Sequence, residues 1–351
     1  MRAIVTGGTG LLGSALVTAL TAQGWQVLVL SRHPSTRQLS NTADVTYYYG
    51  DVGDEHAWDQ FSLWKNKIDV LYHCAGCIQL HAPWRILYRT NVQGTALALQ
   101  CARQLDIPRL VIASSTAVTG CMTPEEIPAK EDDPPRPISA YGKSKWMAEQ
   151  LVSALSPEAR QRVMILRIST IYANLPHFLV PAIAEIIKRR GRLLTVLDAF
   201  AHHLFHPVYL NDAIDALLVA SLTRAPGGTY FIAGPDALPI GALFSEVAAA
   251  IHDDRFSLKE RSAASSFKAV LLDFRRSMHQ LLHREDFLSF LSMRSGRRIH
   301  RVYTCTRAAE AFGYAPRINI REGIRRCLTG YDHASIEAGS TNYTTASVKS
   351  K

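Results

Sequence analysis

The sequence predicts an α/β fold in which helices cover both faces of a doubly wound parallel sheet. Short apolar runs with the length of buried strands alternate with longer segments of helical periodicity. The first strand, at 2–6, leads through a glycine-rich turn into a helix predicted at 11–22. Because ligands bind beyond the carboxyl ends of the strands in such sheets, we expect the functional site at that edge.

Three glycines in the first turn suggest a dinucleotide-binding site. We expect Gly7 to let the chain turn out of the strand, Gly10 to let the backbone approach a pyrophosphate, and Gly13 to let the helix pack against the sheet. Leu11 and Leu12 then begin a helix whose N-terminus favours an anion. The alternative is a tight strand-to-helix turn without a ligand.

The end of the second strand, predicted at 26–30, bears on the choice of cofactor. An acidic residue there would bind the 2′-hydroxyl of the adenosine ribose, whereas an arginine can pair with a 2′-phosphate. The sequence has Arg32 and no acid before Asp44. We therefore expect NADP(H) rather than NAD(H), with NAD(H) possible. The alternative is that Arg32 is a surface charge.

The next two strands, predicted at 45–50 and 68–73, also end in candidate cofactor-binding residues. Asp51 and Val52 follow the third strand, where a carboxylate could meet the adenine amino group. Small residues follow the fourth strand and would let the cofactor backbone pass close by; they are Cys74, Ala75 and Gly76. The alternative for both positions is an ordinary strand end.

The residues expected to carry the chemistry come next. A helix predicted at 84–104 carries Asn91, and the fifth strand, at 109–114, ends beside Ser115, with Thr116 as its less favoured substitute. Tyr141 and Lys145 are four residues apart and share one face of a helix. A tyrosine ionises near pH 10, but a close, partly desolvated lysine lowers its pKa and makes it a usable proton donor or acceptor. Ser115 would hydrogen-bond the same substrate oxygen. The alternative is a surface tyrosine beside a lysine.

Together these motifs resemble the extended short-chain dehydrogenase/reductase superfamily, with its NAD-dependent epimerase/dehydratase-like members. Further similar stretches lie at 73–76, 91–95, 166–172 and 206–213, and the resemblance covers residues 1 to 328. It implies a Rossmann-type nucleotide domain and a smaller C-terminal substrate-binding domain. It also implies that Asn91, Ile168 and Thr170 contact the cofactor and that Lys145 holds the nicotinamide ribose.

Within that superfamily, the segments 82–92 and 303–317 look like those of 3β-hydroxysteroid dehydrogenase-like reductases. Such reductases act on large apolar substrates, which include sterols and 3-oxo acyl chains. Thr119 and Ala173 stand where a tyrosine and a glycine are common in the superfamily, which disfavours sugar-nucleotide substrates. We expect the nucleotide domain at 1–172 with contributions from 204–234, the substrate domain at 173–203 and 235–330, and a disordered tail at 331–351.

Composition limits the remaining partners. No apolar run reaches the roughly 18 residues that span a bilayer, so we expect a cytoplasmic protein with reduced cysteines. The net charge of +9 is concentrated at 255–301. Its amphipathic part, 265–292, is interpreted as a solvated face or as a peripheral membrane contact. Nucleic acid is not expected because no recognition motif accompanies the charge.

A metal site is not expected either, because neither the Cys74–Cys77 pair nor the histidines at 202, 203 and 206 have a suitable ligand set.

The sequence thus predicts an NADP(H)-dependent oxidoreductase that interconverts a keto group and a secondary alcohol on an apolar substrate. A sugar-nucleotide epimerase or dehydratase is the first alternative, and a non-catalytic NADP(H)-binding protein is the second. A homodimer is possible because dimerisation is common in the superfamily.

Overall fold

The computed structural model describes residues 1–33, 44–79, 82–175, 179–189, 201–251 and 300–329. In these residues the strands, in chain order, are β1 (Arg2–Thr6), β2 (Gln26–Ser31), β3 (Val45–Tyr49), β4 (Val70–His73), β5 (Arg109–Ser115), β6 (Val163–Ile168), β7 (Ile171–Tyr172), β8 (Leu204–Phe205), β9 (Val208–Tyr209), β10 (Gly228–Ile232) and β11 (Leu238–Pro239). The first five lie where the sequence predicts them, within two residues at each end.

The central sheet has seven strands in the order β10-β6-β5-β4-β1-β2-β3. All its neighbours pair in parallel. The predicted doubly wound, Rossmann-type fold is therefore confirmed. The chain reverses its direction of travel across the sheet between β1 and β4, and a crevice opens at the carboxyl ends of these two strands.

Helices connect the strands. They are α1 (Leu11–Ala22), α2 (His56–Asp59), α3 (Trp84–Leu87), α4 (Gly94–Gln104), α5 (Ala140–Ser153), α6 (Pro157–Arg160), α7 (Leu179–Arg189), α8 (Leu210–Leu222), α9 (Ile240–Ala250), α10 (Thr306–Phe312) and α11 (Ile320–Leu328). The single helix predicted at 84–104 is instead α3 and α4 joined by a π-helical turn, Tyr88–Gln93. None of the helices in the described part of the chain has the length and apolarity to cross a membrane.

The sheet is buried on both faces because side chains alternate along each strand. On β1, Ala3 and Val5 join an apolar cluster with α1 and α8, whereas Ile4 joins a cluster with α2, α4 and α5. Continuous apolar strands are typical of parallel sheets covered by helices on both sides.

A third apolar cluster lies away from the sheet, where α7, α9 and α11 pack together. Its fully buried members include Val180, Ile183 and Phe244. The predicted division into a nucleotide domain and a substrate domain stays a prediction. The basic segment at 265–292 and the tail at 331–351 lie outside the described residues.

One buried carboxylate ties the C-terminal segment to the helix that covers the sheet. Asp212 lies in the first turn of α8 and is 2% exposed. Its two oxygens accept hydrogen bonds from the backbone N–H groups of Arg317 and Ile318, each at 3.0 Å. This contact attaches the chain just before α11 to the first turn of α8.

We predict that Asp212→Asn destabilises the protein by about 1–3 kcal/mol, because an amide offers one acceptor oxygen and turns an N–H group towards the second donor. Asp215→Asn is the matched control. Asp215 pairs with the side chain of the same Arg317 at 3.0 Å, but both side chains are largely exposed, so the loss should stay below about 1 kcal/mol. Urea denaturation of the three proteins measures both changes, and equal losses would contradict the prediction.

Candidate functional site

The glycine turn after β1 is packed so closely against neighbouring backbone that Gly7 and Gly13 have no room for a Cβ atom. Gly7 has φ of +69°, and a Cβ there would lie 2.8 Å from the backbone of Ala75 after β4. A Cβ on Gly13 would lie 2.2 Å from the Gly7 carbonyl oxygen. Gly13 therefore packs α1 against the turn itself, whereas the sequence suggested packing against the sheet.

The N-terminus of α1 is suited to an anion. Its first residue follows Gly10, which provides no side-chain cap, and its first turn holds no acidic residue. The helix dipole and its first N–H groups therefore face the crevice between β1 and β4 without a competing carboxylate. The predicted residues at this point fit a pyrophosphate.

Two adjoining pockets form one groove along the carboxyl edge of the sheet, since both are bordered by Gly7, Gly10, Cys74 and Gly76. The first pocket also contains these predicted residues: Leu11, Leu12, Gly13, Ser115, Tyr141, Lys145, Ile168 and Thr170. The second also contains Arg32, Val52 and Ala75. Thus the structure brings most of the predicted cofactor-binding residues to one groove and the three candidate catalytic residues to one end of it.

Ser115, Tyr141 and Lys145 are all at most 6% exposed. The Lys145 ammonium donates to the carbonyl oxygen of Ala113 at 2.9 Å, which fixes α5 against the end of β5. Ser139 caps α5 by accepting from the N–H of Gly142 at 2.9 Å, so Tyr141 is held in the first turn. Ser115 accepts from the N–H of Ala117 at 3.1 Å and begins a short 3₁₀ turn.

Two predicted cofactor-binding residues border neither pocket. Asp51 accepts from the N–H of Gly53 at 2.9 Å and lies 3.8 Å from the Arg89 guanidinium. Its carboxylate is thus occupied by the loop after β3, although Gly50 and Val52 on either side border the second pocket.

Asn91, the other such residue, is fully buried in the π-helical turn. Its side chain bonds the N–H and the C=O of Cys77 at 2.7 and 3.0 Å, and it donates to Ser144 at 2.8 Å. Asn91 therefore connects the chain after β4 to α5. It holds these two walls of the groove together but does not line either pocket.

Several lining residues were not found from the sequence. In the second pocket, Thr9 and Ser31 form a hydrogen bond of 2.6 Å between their hydroxyls, and His33 lies beside Arg32. In the first pocket, Ile78 and Ser169 were missed. Their positions at or shortly after the ends of β1, β2, β4 and β6 were the available signal, because every loop at this edge of the sheet can reach the groove.

In the short histidine cluster, His206 is engaged by protein groups. Both ring nitrogens of His206 are used, one with the Gly234 carbonyl at 2.8 Å and one with the N–H of Tyr303 at 3.3 Å. Burial raises the pKa of the Cys74 thiol to about 12, which disfavours a thiolate ligand. Within the described ranges, no three His, Cys, Asp or Glu side chains converge as metal ligands would.

Comparison with known proteins adds to this geometry. The sequence profile of the NAD dependent epimerase/dehydratase family matches residues 3–233. Over 93% of this chain and 98% of its own length, the 2-alkyl-3-oxoalkanoate reductase of Stenotrophomonas maltophilia (strain K279a) is 29% identical.

Two further relatives match over shorter stretches. A 4-hydroxy-2-methyl-3-oxo-4-farnesyl-3,4-dihydroquinoline-1-oxide ketoreductase of Stigmatella aurantiaca is 30% identical over 66% of this chain and 68% of its own length. A UDP-glucose 4-epimerase of Azospirillum brasilense is 32% identical over 47% of this chain and 48% of its own length. Reductases and epimerases thus both occur among the relatives.

A solved structure shares the fold. The Bordetella bronchiseptica enzyme WbmG, in complex with NAD, superposes with a TM-score of 0.70 over 94% of each chain at 20% identity. At this identity the similarity concerns the fold alone.

His73, at the end of β4, makes the stability of the fold depend on pH. It is fully buried, and its Nδ1 lies 2.9 Å from the Thr6 hydroxyl, which itself accepts from the N–H of Ala75 at 3.2 Å. Burial, reinforced by the charge of Lys145, lowers the pKa of His73 from 6.5 to about 3. The histidine therefore stays neutral in the folded protein.

We predict that this neutral histidine costs stability in acid. Its pKa is lower in the folded chain, so its contribution is complete above about pH 6.5 and is lost as the pH falls towards about 3. The slope is about 1.4 kcal/mol per pH unit. His73→Gln should remove that slope from the free energy of unfolding, measured by urea denaturation from neutral to mildly acidic pH. The exposed His56→Gln should keep it, and parallel curves for wild type and His73→Gln would contradict the assignment.

Proposed function

This chain belongs to the NAD dependent epimerase/dehydratase family of extended short-chain dehydrogenases/reductases, and from that premise we propose that it is an NADP(H)-dependent ketoreductase. The reaction interconverts a keto group and a secondary alcohol on an apolar substrate. The observation that carries the proposal is one pocket in which Ser115, Tyr141 and Lys145 are buried together and which continues into the glycine turn.

The groove supplies each part of a nicotinamide cofactor with a suitable surface. The turn from Gly7 to Gly13 and the N-terminus of α1 would hold the pyrophosphate, and the pocket beside Arg32 would hold the adenosine end. When bound, the cofactor supplies or accepts a hydride at its nicotinamide ring.

The side chains of this protein would then handle the proton and the substrate oxygen. Tyr141 gives a proton to the oxygen during reduction and takes it back during oxidation. Lys145 lies one helical turn after Tyr141 on α5 and is held there by its bond to the Ala113 carbonyl, so we expect its charge to lower the pKa of the phenol. Ser115, with Thr116 as the less favoured substitute, hydrogen-bonds the substrate oxygen.

The pocket walls favour an apolar substrate. Ile78, Ile168 and Ile171 border the pocket that contains Tyr141. Two hydroxyls in the same wall are engaged by the protein, Ser114 with Glu149 and Ser169 with the carbonyl of His206. They therefore donate to protein groups rather than to substrate hydroxyls. The reductase that matches nearly the whole chain supports the same substrate class.

The first alternative is a sugar-nucleotide epimerase. UDP-glucose 4-epimerase relatives support it over about half of the chain, and a putative UDP-glucose 4-epimerase that is 24% identical supports it over 93% of the chain. In that reaction the cofactor is regenerated within each turnover. A protein that binds NADP(H) without catalysis is the second alternative, and it would have no use for three buried polar side chains at one end of the groove.

The deciding experiment is the stoichiometry of NADPH oxidation with a panel of 2-alkyl-3-oxo acids and large apolar ketones. We expect one NADPH consumed per alcohol formed, and Tyr141→Phe should lower kcat by about 100-fold or more while NADPH still binds. Tyr88→Phe, at an exposed tyrosine, is the matched control and should keep its activity. Product without net cofactor change would favour the epimerase, and tight binding without turnover would favour the binding protein.

The preference for NADP(H) rests on Arg32, which is exposed at the second pocket and can pair with a 2′-phosphate. We predict that Arg32→Ser raises the Kd for NADPH about 10-fold and leaves the Kd for NADH nearly unchanged, because only NADPH carries that phosphate. Fluorescence titration measures both. Arg103→Ser, which removes the same charge at the far end of α4, is the control and should change neither Kd. Tighter NADH binding by the wild type would contradict the proposal.

The remaining features also stay proposals. These are the separate substrate domain at 173–203 and 235–330, the cytoplasmic location, the homodimer and the peripheral membrane contact at 265–292.

A further inference from the structure

A buried ion pair lies directly behind the candidate catalytic residues and has no part in the proposed reaction. Glu149 of α5 and Arg167 of β6 are joined by a hydrogen bond of 2.8 Å, and both side chains are 4% exposed. The Arg167 Nε lies 3.2 Å from each carboxylate oxygen. Two nitrogens of the planar guanidinium, Nε and Nη2, therefore donate to the same carboxylate. A lysine could not reproduce this forked geometry.

Both members of the pair make further contacts with their surroundings. Arg167 also donates to the carbonyl of Glu131 at 3.1 Å and lies over the ring of Phe231 at 5.7 Å. Glu149 accepts a short hydrogen bond from the hydroxyl of Ser114. A buried pair is weak evidence for stability, since apolar side chains can often replace it, so the position of this one calls for another explanation.

That position is set by the spacing along α5. Tyr141, Lys145 and Glu149 follow one another at intervals of four residues, so they form one buried stripe on the helix. A lysine and a glutamate four residues apart are neighbours on one face of a helix and can pair. Here the carboxylate bonds with Arg167 and Ser114, whereas the ammonium donates to the carbonyl of Ala113.

The strand register explains why Glu149 and Lys145 can bond different groups of the sheet. Ser114 of β5 lies beside Arg167 of β6 in the parallel ladder. Both therefore reach the same turn of α5, one turn beyond the point where Lys145 meets Ala113. The helix is thus attached to the sheet at two successive turns, one through Lys145 and one through Glu149.

Resting on the roles proposed above for Tyr141 and Lys145, we infer that Arg167 is a positioning residue that holds the Glu149 carboxylate away from the Lys145 ammonium. The ammonium charge then acts on the Tyr141 phenol instead of being neutralised within the helix.

The other titratable groups around this stripe do not replace Arg167. From β4, His73 is buried and neutral and Cys74 is an un-ionised thiol. Glu131 lies on the far side of Arg167, where its carboxylate accepts from the N–H of Phe231 at 3.0 Å and lies 3.8 Å from Arg307. Among the described groups, Glu149 is the acid that shares the stripe with Lys145.

The test is the ionisation of Tyr141 in Arg167→Gln. With its partner removed, Glu149 should pair with Lys145, and the pKa of Tyr141 should rise by about one unit. The readout is the ultraviolet difference between each protein and its Tyr141→Phe counterpart as a function of pH, measured without cofactor. The alkaline limb of the kcat profile with NADPH should move in the same direction.

Arg167→Lys separates this mechanism from the mere loss of a positive charge, because it keeps the charge but loses the fork and should still raise the pKa of Tyr141. The double variant Glu149→Gln/Arg167→Gln tests whether the Glu149 carboxylate carries the effect. With no carboxylate left to pair with Lys145, the ionisation of Tyr141 should return to that of the wild type. Arg162→Gln is the matched control, because Arg162 forms an exposed pair with Asp106 just before β6, and it should leave the ionisation unchanged.

Two results would overturn the inference. One is an unshifted Tyr141 in Arg167→Gln, and the other is a shift that persists in the double variant. If Arg167→Gln does not fold, Arg167→Lys decides, since it keeps the charge but loses the fork and should give a smaller shift of the same sign. A spectroscopic shift without ketone reduction would support the inference and reject the proposed function.

Discussion

The close approach of three backbone segments at the centre of the sheet is the constraint on which the site depends. The turn after β1 touches the chain after β4, and α1 touches that same turn, at distances that leave no room for a Cβ on Gly7 or Gly13. This contact closes the crevice at its base and aims the first turn of α1 into it. Both pockets are bordered by Gly7 and Gly10 of the turn and by Cys74 and Gly76 after β4, so the groove is continuous across this contact.

The second determinant is the attachment of α5 to β5 and β6. Lys145 and Glu149 each reach the sheet, one through a backbone carbonyl and one through a serine and an arginine. Two attachments one helical turn apart fix both the rotation and the height of the helix. The position of Tyr141 relative to Ser115 follows from them, because the tyrosine lies one turn before the first attachment.

Much of the groove could be predicted because parallel sheets place the ends of all their strands at one edge. Glycines, small residues and hydroxyls directly after β1, β4 and β5 had to meet there, and they do. The orientations of Asp51 and Asn91 were harder to predict, because a polar side chain at this edge can face a ligand or bond the protein. Both side chains hydrogen-bond backbone groups of the protein. The spacing of residues along the chain does not predict which of these two orientations a side chain adopts.

The sequence by itself determined the order of strands and helices, the glycine turn, and the membership of Ser115, Tyr141 and Lys145 in one site. The elements and the turn follow from local patterns, because apolar periodicity and glycine positions act over a few residues. The grouping of the three side chains follows from the parallel sheet, whose strand ends share one edge, and from the family resemblance. Only the tertiary structure decided which partner each buried charge takes. Lys145 and Glu149 are neighbours on one helix, yet they bond different groups of the sheet, since the register of β5 and β6 brings Ser114 and Arg167 to the carboxylate.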